Sequence, residues 1–498
     1  MKAILAIDQG TTSTRALIVD EAAQVRATAQ VELPQHYPQS GWVEHDAEII
    51  WRDTLATARK AIGQARALDL DVAAIGITNQ RETFLLWDRE TGRPLHRAIV
   101  WQDRRGAEQC RAMAAEGLEP EITERTGLLL DSYFSATKLA WLLDALPDAR
   151  SLAEEGRIAF GTIDSFLLWR LTGGAVHATD PTNASRTLLF DIRTMQWCPD
   201  LCRMFGVPMA ILPEVRSNDA HFGATDPSLL GRALPITGMA GDQQAALIGQ
   251  RCLRAGDAKI TYGTGGFALM NTGDTICRSA HRLLATVGFQ AEGRTCYALE
   301  GAIFVAGAAI QWLRDSLGII AHAGDSEALA RSLPDNGGVY FVPAFVGLGS
   351  PHWDADARGL IMGLGFGSTR AHLVRSALEA VAYQSRELVD TMARDSGLAA
   401  PMMRVDGGMT ANGWLCQFLA DMLALPVRRP AGIETTALGA AFLAGVGAGL
   451  WSGLAAIPGE SRADACFAPV MTEEERARLF SQWTDAVDRA RSMAGPAK

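Results

Sequence analysis

The chain has 498 residues, 48% of them hydrophobic and 20% charged, with a net charge of −10 and a pI near 5.5. That length exceeds one compact core and suits two large domains, and the composition is that of a well-buried globular protein, not a disordered one. The acidic balance argues against nucleic acid or an anionic membrane surface as a main partner.

Residues 3–7 are a continuous apolar run, followed by Asp8-Gln9-Gly10-Thr11-Thr12-Ser13-Thr14 and a second apolar run over 15–20. This spacing predicts a β-hairpin with a polar tip, and the apolar stretch before Asp8 is too short for a secretory h-region. Residues 46–67 read as a helix with Asp46 as N-cap and Glu48 in the first turn. A second strand–turn–strand unit follows midway: 258–262, then Gly263-Thr264-Gly265-Gly266, then 267–270. The repeat predicts an α/β protein of two domains on related sheets, 1–250 and 251–498. Further on, 370–394 reads as a helix with Leu373, Ala377, Val381 and Leu388 on one face. Residues 437–457 run 21 positions without a charge, but five are Gly and seven Ala, which predicts a closely packed helix and turn instead of a membrane span. The eight cysteines are scattered, and Cys198 and Cys202 lack a second pair or histidine at metal-ligand spacing. Dispersed thiols of this kind suggest a reducing cytoplasm.

Several turns carry chemistry. The Gly10-Thr11-Thr12-Ser13 tip, with Arg15 beyond it, has the glycine and hydroxyl donors of a phosphate-binding loop, although a solvated hairpin tip would look similar. No Gly-Lys dipeptide exists, so the P-loop is excluded, and the protein-kinase triplets His-Arg-Asp and Asp-Phe-Gly are missing. Residues 263–268 fit a loose dinucleotide fingerprint, but a strand is expected after them where that motif needs a helix. Arg81-Glu82 could donate to and accept from vicinal hydroxyls, with Arg81 holding its neighbour ionised; a surface ion pair is the plainer alternative. Trp101 could wall that site or belong to the core. Asp242, at a strand-to-helix junction, is either a general base or a helix N-cap. Asp406-Gly407-Gly408 between strand and helix leaves room for a flat nucleotide.

These stretches, in this order, resemble the FGGY carbohydrate kinases, of the actin, sugar-kinase and chaperone ATPase superfamily, and within them the branch that acts on glycerol. The likeness runs from Ile4 to about Trp451 and includes Gly41-Trp-Val-Glu-His-Asp46, Gly76-Ile-Thr-Asn-Gln-Arg-Glu-Thr83, Gly241-Asp-Gln-Gln-Ala-Ala246, Leu299-Glu-Gly301 and Thr436-Ala-Leu-Gly-Ala-Ala441. The resemblance implies two actin-like (ribonuclease H-like) domains around a cleft, ATP and Mg²⁺ as cofactors, glycerol as substrate, no membrane or nucleic-acid partner, and a homo-oligomer. It implies that Thr11, Thr12, Ser13 and Arg15 meet the nucleotide phosphates. Arg81, Glu82, Tyr133, Asp242 and Gln243 would bind the polyol, with Trp101 and Phe267 along its carbons. Thr264, Gly307, Gln311, Gly408 and Asn412 would hold ATP from the second domain. Asp242 would be the base, and Asp8 would place Mg²⁺ through water. Gly266, Ser132 and Gly413 depart from common family residues without removing one of these groups. Some bacterial members bind fructose 1,6-bisphosphate at a basic glycine-rich loop; here 226–234 keeps Arg232 as its one cation, which speaks against that regulation.

Overall fold

The computed structural model describes residues 1–354, 356–432, 434–459 and 465–491. Two mixed sheets repeat one plan. In the first, Val25–Glu32, Ser13–Asp20 and Lys2–Gln9 form an antiparallel meander, continued in parallel by Asp71–Asn79 and Pro235–Gly241. In the second, Arg294–Ile303, Gly266–Gly273 and Ala258–Tyr262 form the meander, and Met403–Asp406 and Val427–Arg429 continue it in parallel. The duplication expected from the two hairpins is therefore present in the topology, as the actin-like plan requires. Residues 266–273 are strand, so the dinucleotide fingerprint is excluded on the structural ground expected.

The 3–7 run has no exposed surface because both faces of its strand are covered. Ala3, Leu5 and Ile7 pack toward the Ala47–Ala67 helix, which Asp46 caps through the N–H groups of Glu48 and Ile49. Ile4 and Ala6 face Ala437, Ala441 and Ala444 of the Thr435–Gly447 helix. That helix is the buried element expected from 437–457, and none among the described residues is long and apolar enough to cross a membrane. It reaches the first sheet through glycines: a Cβ on Gly76 would lie 2.2 Å from the Ala440 carbonyl oxygen, and one on Gly238 2.3 Å from the Ala444 nitrogen. The long second-half helix spans Arg370–Ser396 and buries Ala377, Val381 and Leu388.

The 226–234 segment is a short helix, Pro227–Leu230, and Arg232 is already engaged. Its guanidinium pairs with Asp71 at 2.7 Å and donates to the Val72 carbonyl. A lone arginine held by a carboxylate makes a poor bisphosphate site, since such sites cluster cations or N–H groups. Millimolar fructose 1,6-bisphosphate is expected to leave the reaction rate unchanged; inhibition that disappears in Arg232→Ala would show the segment to be a regulatory site.

Candidate active site

Two neighbouring parallel strands end at the candidate site. The Asp71–Asn79 strand delivers Gln80, Arg81 and Glu82, and Pro235–Gly241 delivers Asp242 as the first residue of the Asp242–Gly249 helix. The N-cap is Gly241, so the alternative reading of Asp242 as the cap does not describe this helix. Asp242 Oδ1 accepts from the Gln243 N–H at 2.7 Å and lies 3.2 Å from Arg81 Nε, while its side chain keeps 29% of its surface exposed. Burial raises its pKa above the usual carboxylate range, against the opposing pull of Arg81, the Gln243 N–H and Lys259. Gln243 is oriented in turn by Lys259, whose buried ammonium reaches its Oε1 at 2.5 Å.

Arg81 and Glu82 are buried, which excludes a surface ion pair. They are not, however, each other's main partner, and this corrects the expectation that Arg81 holds Glu82 ionised. Glu82 has φ +60, in the left-handed region, and Arg81 Nε stands 3.9 Å from its Oε1. Arg81 instead forks onto Glu300 at 2.6 and 3.0 Å, and Glu82 accepts from Arg186 Nε at 2.7 Å. Burial pushes Glu82 up despite Arg186 and Arg81. Against the same upward pull of burial, Arg186 and then Arg81 hold Glu300 down to about 2.

Trp101, Tyr133 and Phe267 come together: Trp101 meets Tyr133 at 5.5 Å and Phe267 at 6.3 Å between ring centroids, both edge-on. The Trp101 Nε1–H donates to Thr11 Oγ1 at 3.0 Å, joining these rings to the hairpin tip. Lys138, fully buried, donates to the carbonyls of Val100, Trp101 and Tyr133 and so fixes both loops that carry the rings.

At the tip, the Gly10 N–H donates to the Ser13 carbonyl, leaving Thr11 and Thr12 at the surface of the cleft. Arg15 is paired with Glu434 at 2.6 Å. Burial pushes the Asp8 carboxyl up to about 7; Arg15 pulls it down, and Glu434 and Asp242 add to the rise. On the other side the N–H groups of Ala306 and Ala308 donate to the Thr264 carbonyl, and that of Gly307 to Gly263. Gly307 is buried and lies against Met409, Gly407 lies against the Tyr262 backbone, and Thr264 and Gly408 are exposed. Gln311 is exposed one turn along the Gly307–Asp315 helix. Asn412 caps the Gly413–Leu423 helix through the Leu415 N–H, which puts its side-chain oxygen in a structural bond.

Sequence patterns do not single out Arg186, Glu300, Lys138 or Lys259. The one signal they carry is a carboxylate inside the apolar run Tyr297-Ala298-Leu299-Glu300-Gly301-Ala302-Ile303, because a charge in a buried strand needs a partner.

Models of the FGGY family of carbohydrate kinases match residues 3–249 with their N-terminal domain and 258–448 with their C-terminal domain. A glycerol kinase of Rhodospirillum centenum is 60% identical over 99% of this chain and 98% of its own, and one from Gluconobacter oxydans is 55% identical over 99% and 96%. The crystal structure of Plasmodium falciparum glycerol kinase with ADP superimposes with a TM-score of 0.92 at 37% identity, covering 98% of both chains. With both halves of the family matched along nearly its whole length, the chain belongs to the FGGY carbohydrate kinases.

Proposed function

We propose that this enzyme transfers the γ-phosphoryl group of ATP to a terminal hydroxyl of glycerol, giving sn-glycerol 3-phosphate and ADP. The observation that carries the reading is the meeting of a small aromatic enclosure with buried Arg81 and Glu82 and the partly exposed Asp242, beside a hydroxyl-rich hairpin. Trp101 and Phe267 would line the three-carbon chain, and Arg81, Glu82, Tyr133 and Gln243 would hold its hydroxyls. The tip residues Thr11, Thr12 and Ser13 with Arg15 would receive the phosphates, while Thr264, Gly307, Gln311, Gly408 and Asn412 border the rest of the nucleotide. Residues 1–250 would thus supply most of the polyol and phosphate groups and 251–498 most of the nucleotide surface. Positioning and charge neutralisation carry most of the catalysis in such transfers, and no phosphoenzyme is needed.

Among the described residues no three carboxylate, histidine or cysteine side chains are arranged so that they could hold a metal ion by themselves. A single carboxylate, Asp8, suits Mg²⁺ that keeps most of its water and leans on substrate phosphates. When bound, the ion would neutralise phosphate charge, and Asp8, whose carboxyl burial has pushed up, would gain a cation. The eight unpaired cysteines support a reducing compartment, the cytoplasm.

The test is a coupled ADP-release assay over glycerol, xylulose, ribulose and no polyol. Glycerol should have the highest kcat/KM, and ATP hydrolysis without polyol should be far slower, because water is excluded once the cleft closes on substrate. A higher kcat/KM for a ketose would assign the cage to another sugar, and an ATPase rate equal to transfer would overturn the site assignment.

A further inference from the structure

We propose that Arg186 and Glu300 are positioning residues for the polyol site: Glu300 aims the Arg81 guanidinium, and Arg186 holds the Glu82 carboxylate, tying the two sheets together behind the substrate. This rests on the phosphoryl-transfer reading above and extends it to two residues set back from the proposed polyol contacts.

Both side chains are buried to within 1%. Glu300 Oε1 accepts from Arg81 Nη2 at 3.0 Å and from Arg186 Nη2 at 2.9 Å, and its Oε2 accepts from Arg81 Nη1 at 2.6 Å. Arg81 Nη1 also donates to Gln244 Oε1 at 3.2 Å, and its Nε faces Asp242. A guanidinium has five N–H donors. Hydrogen bonds to Glu300 and Gln244 engage three of them and leave the Nε–H, beside Asp242, and one Nη2 N–H, so Glu300 determines which donors the substrate can meet. Glu82 is placed in the same way. Its Oε1 takes the Arg186 Nε–H, and no donor among the described residues reaches its Oε2. Its left-handed backbone is unfavourable for a residue with a Cβ, so the conformation needs an outside hold.

The backbone behind Arg186 serves the neighbouring catalytic strands as well. It follows the Pro181–Ala184 turn, which Asp180 caps through Thr182 and Asn183. Thr182 Oγ1 accepts from the Gly241 N–H at 2.8 Å, just before Asp242, and Asn183 exchanges two amide bonds of 3.0 Å with Asn79. One turn therefore registers the Arg81–Glu82 end, the Asp242 end and the Arg186 side chain together. Arg186 Nη1 is buried with no hydrogen-bond partner among the described residues, and the guanidinium carbon sits 5.1 Å from the Phe134 ring centre and 5.6 Å from that of Tyr133.

The experiment compares Arg186→Met, Arg186→Lys and Glu300→Asp with the wild type. Its readouts are KM for glycerol and ATP, kcat, ADP affinity without polyol, melting temperature and the pH profile of kcat/KM for glycerol. Arg186→Met should raise the glycerol KM at least tenfold while ADP affinity stays within twofold. The groups facing Glu82 are Arg81, Arg186, Glu300, Tyr133 and Lys138. Losing the nearest cation raises the carboxyl pKa further, so the acidic limb of the profile should move upward by about one unit or more. Arg186→Lys should restore part of both effects. Glu300→Asp keeps the charge but shortens the reach to two guanidiniums, and should raise the glycerol KM without moving ADP affinity. If Arg186→Met does not fold, the other two variants carry the test. An unchanged glycerol KM and acidic limb, or ADP affinity lost in proportion to glycerol, overturns the proposal. A wild type inactive on glycerol would instead overturn the reading on which it rests.

Discussion

Asp242→Asn is expected to lower kcat by about two orders of magnitude or more while the protein still folds and binds ATP. A glycerol hydroxyl is un-ionised at neutral pH, so an acceptor must take its proton as the bond to phosphorus forms. Three carboxylates are near enough to compete. Asp8 is buried beside Arg15, within the field of Glu434, and belongs to the phosphate side. Glu82 already receives Arg186 on one oxygen and has 1% of its surface exposed, which suits it to orientation. Asp242 is the most exposed of the three, and among the described residues only its Oδ1 is engaged. Burial has raised its pKa, which makes it a better proton acceptor than an ordinary aspartate. Asn keeps the size of the side chain and an oxygen for the Gln243 N–H, so the helix start is preserved. The fork from Arg81 to Glu300 also survives, so glycerol affinity should change far less than kcat. A loose, dissociative transition state would put the loss toward the lower end of the 10²–10⁴-fold range usual for a general base. A fall in kcat of less than tenfold, with normal folding and binding, would show that Asp242 is not the base. The pH profile is a second check. A carboxylate base is lost by protonation, so wild-type kcat should decline as pH falls through the raised Asp242 pKa, and Asp242→Asn should lack that limb.

Much of this site is legible in the amino-acid sequence because its parts are local. The hairpin over 2–20, the strand end before Arg81 and the strand-to-helix junction at Asp242 each lie within one short string, and local strings determine local geometry. The aromatic enclosure follows only from the family resemblance, since Trp101, Tyr133 and Phe267 are far apart in the chain. Charge pairing is not legible at all. Arg81 and Glu82 are neighbours, and adjacency suggests a pair, but at 3.9 Å theirs is the longer contact for both side chains. Their actual partners lie 219 and 104 residues away. Asn412 shows another limit: the resemblance gives it a nucleotide role, and neither that nor the sequence names the helix cap that its side-chain oxygen also forms. The close contacts between helices are equally hidden, for a glycine-rich run announces tight packing without naming what packs against it.

Those contacts carry the last prediction: Gly439→Ala should destabilise the enzyme and lower its activity, whereas Gly63→Ala should stabilise it. Both glycines lie inside helices, where Ala is intrinsically better by about 1 kcal/mol. Gly63 is exposed in the Ala47–Ala67 helix, and a Cβ there would meet nothing within 4 Å, so the helical gain should appear as a small rise in melting temperature. Gly439 sits where the Thr435–Gly447 helix crosses Asp242–Gly249. Its Cβ would lie 1.8 Å from the Ala245 carbonyl oxygen and 2.5 Å from its carbon. The crossing is limited from both sides, because a Cβ on Gly249 would come 1.9 Å from the Thr435 carbonyl oxygen. Backbone cannot step aside as a side chain can, so the helices must separate, and overpacking of this kind costs typically 1–3 kcal/mol and occasionally more. The steric cost should outweigh the helical gain and reverse the sign of the same substitution. Activity should fall with stability, since one helix begins at Asp242 and Glu434, the partner of Arg15, precedes the other. Thermal melts and kcat of the two variants give the answer directly. If Gly439→Ala melts at or above the wild-type temperature with full activity, the two helices do not approach as closely in solution as these distances require.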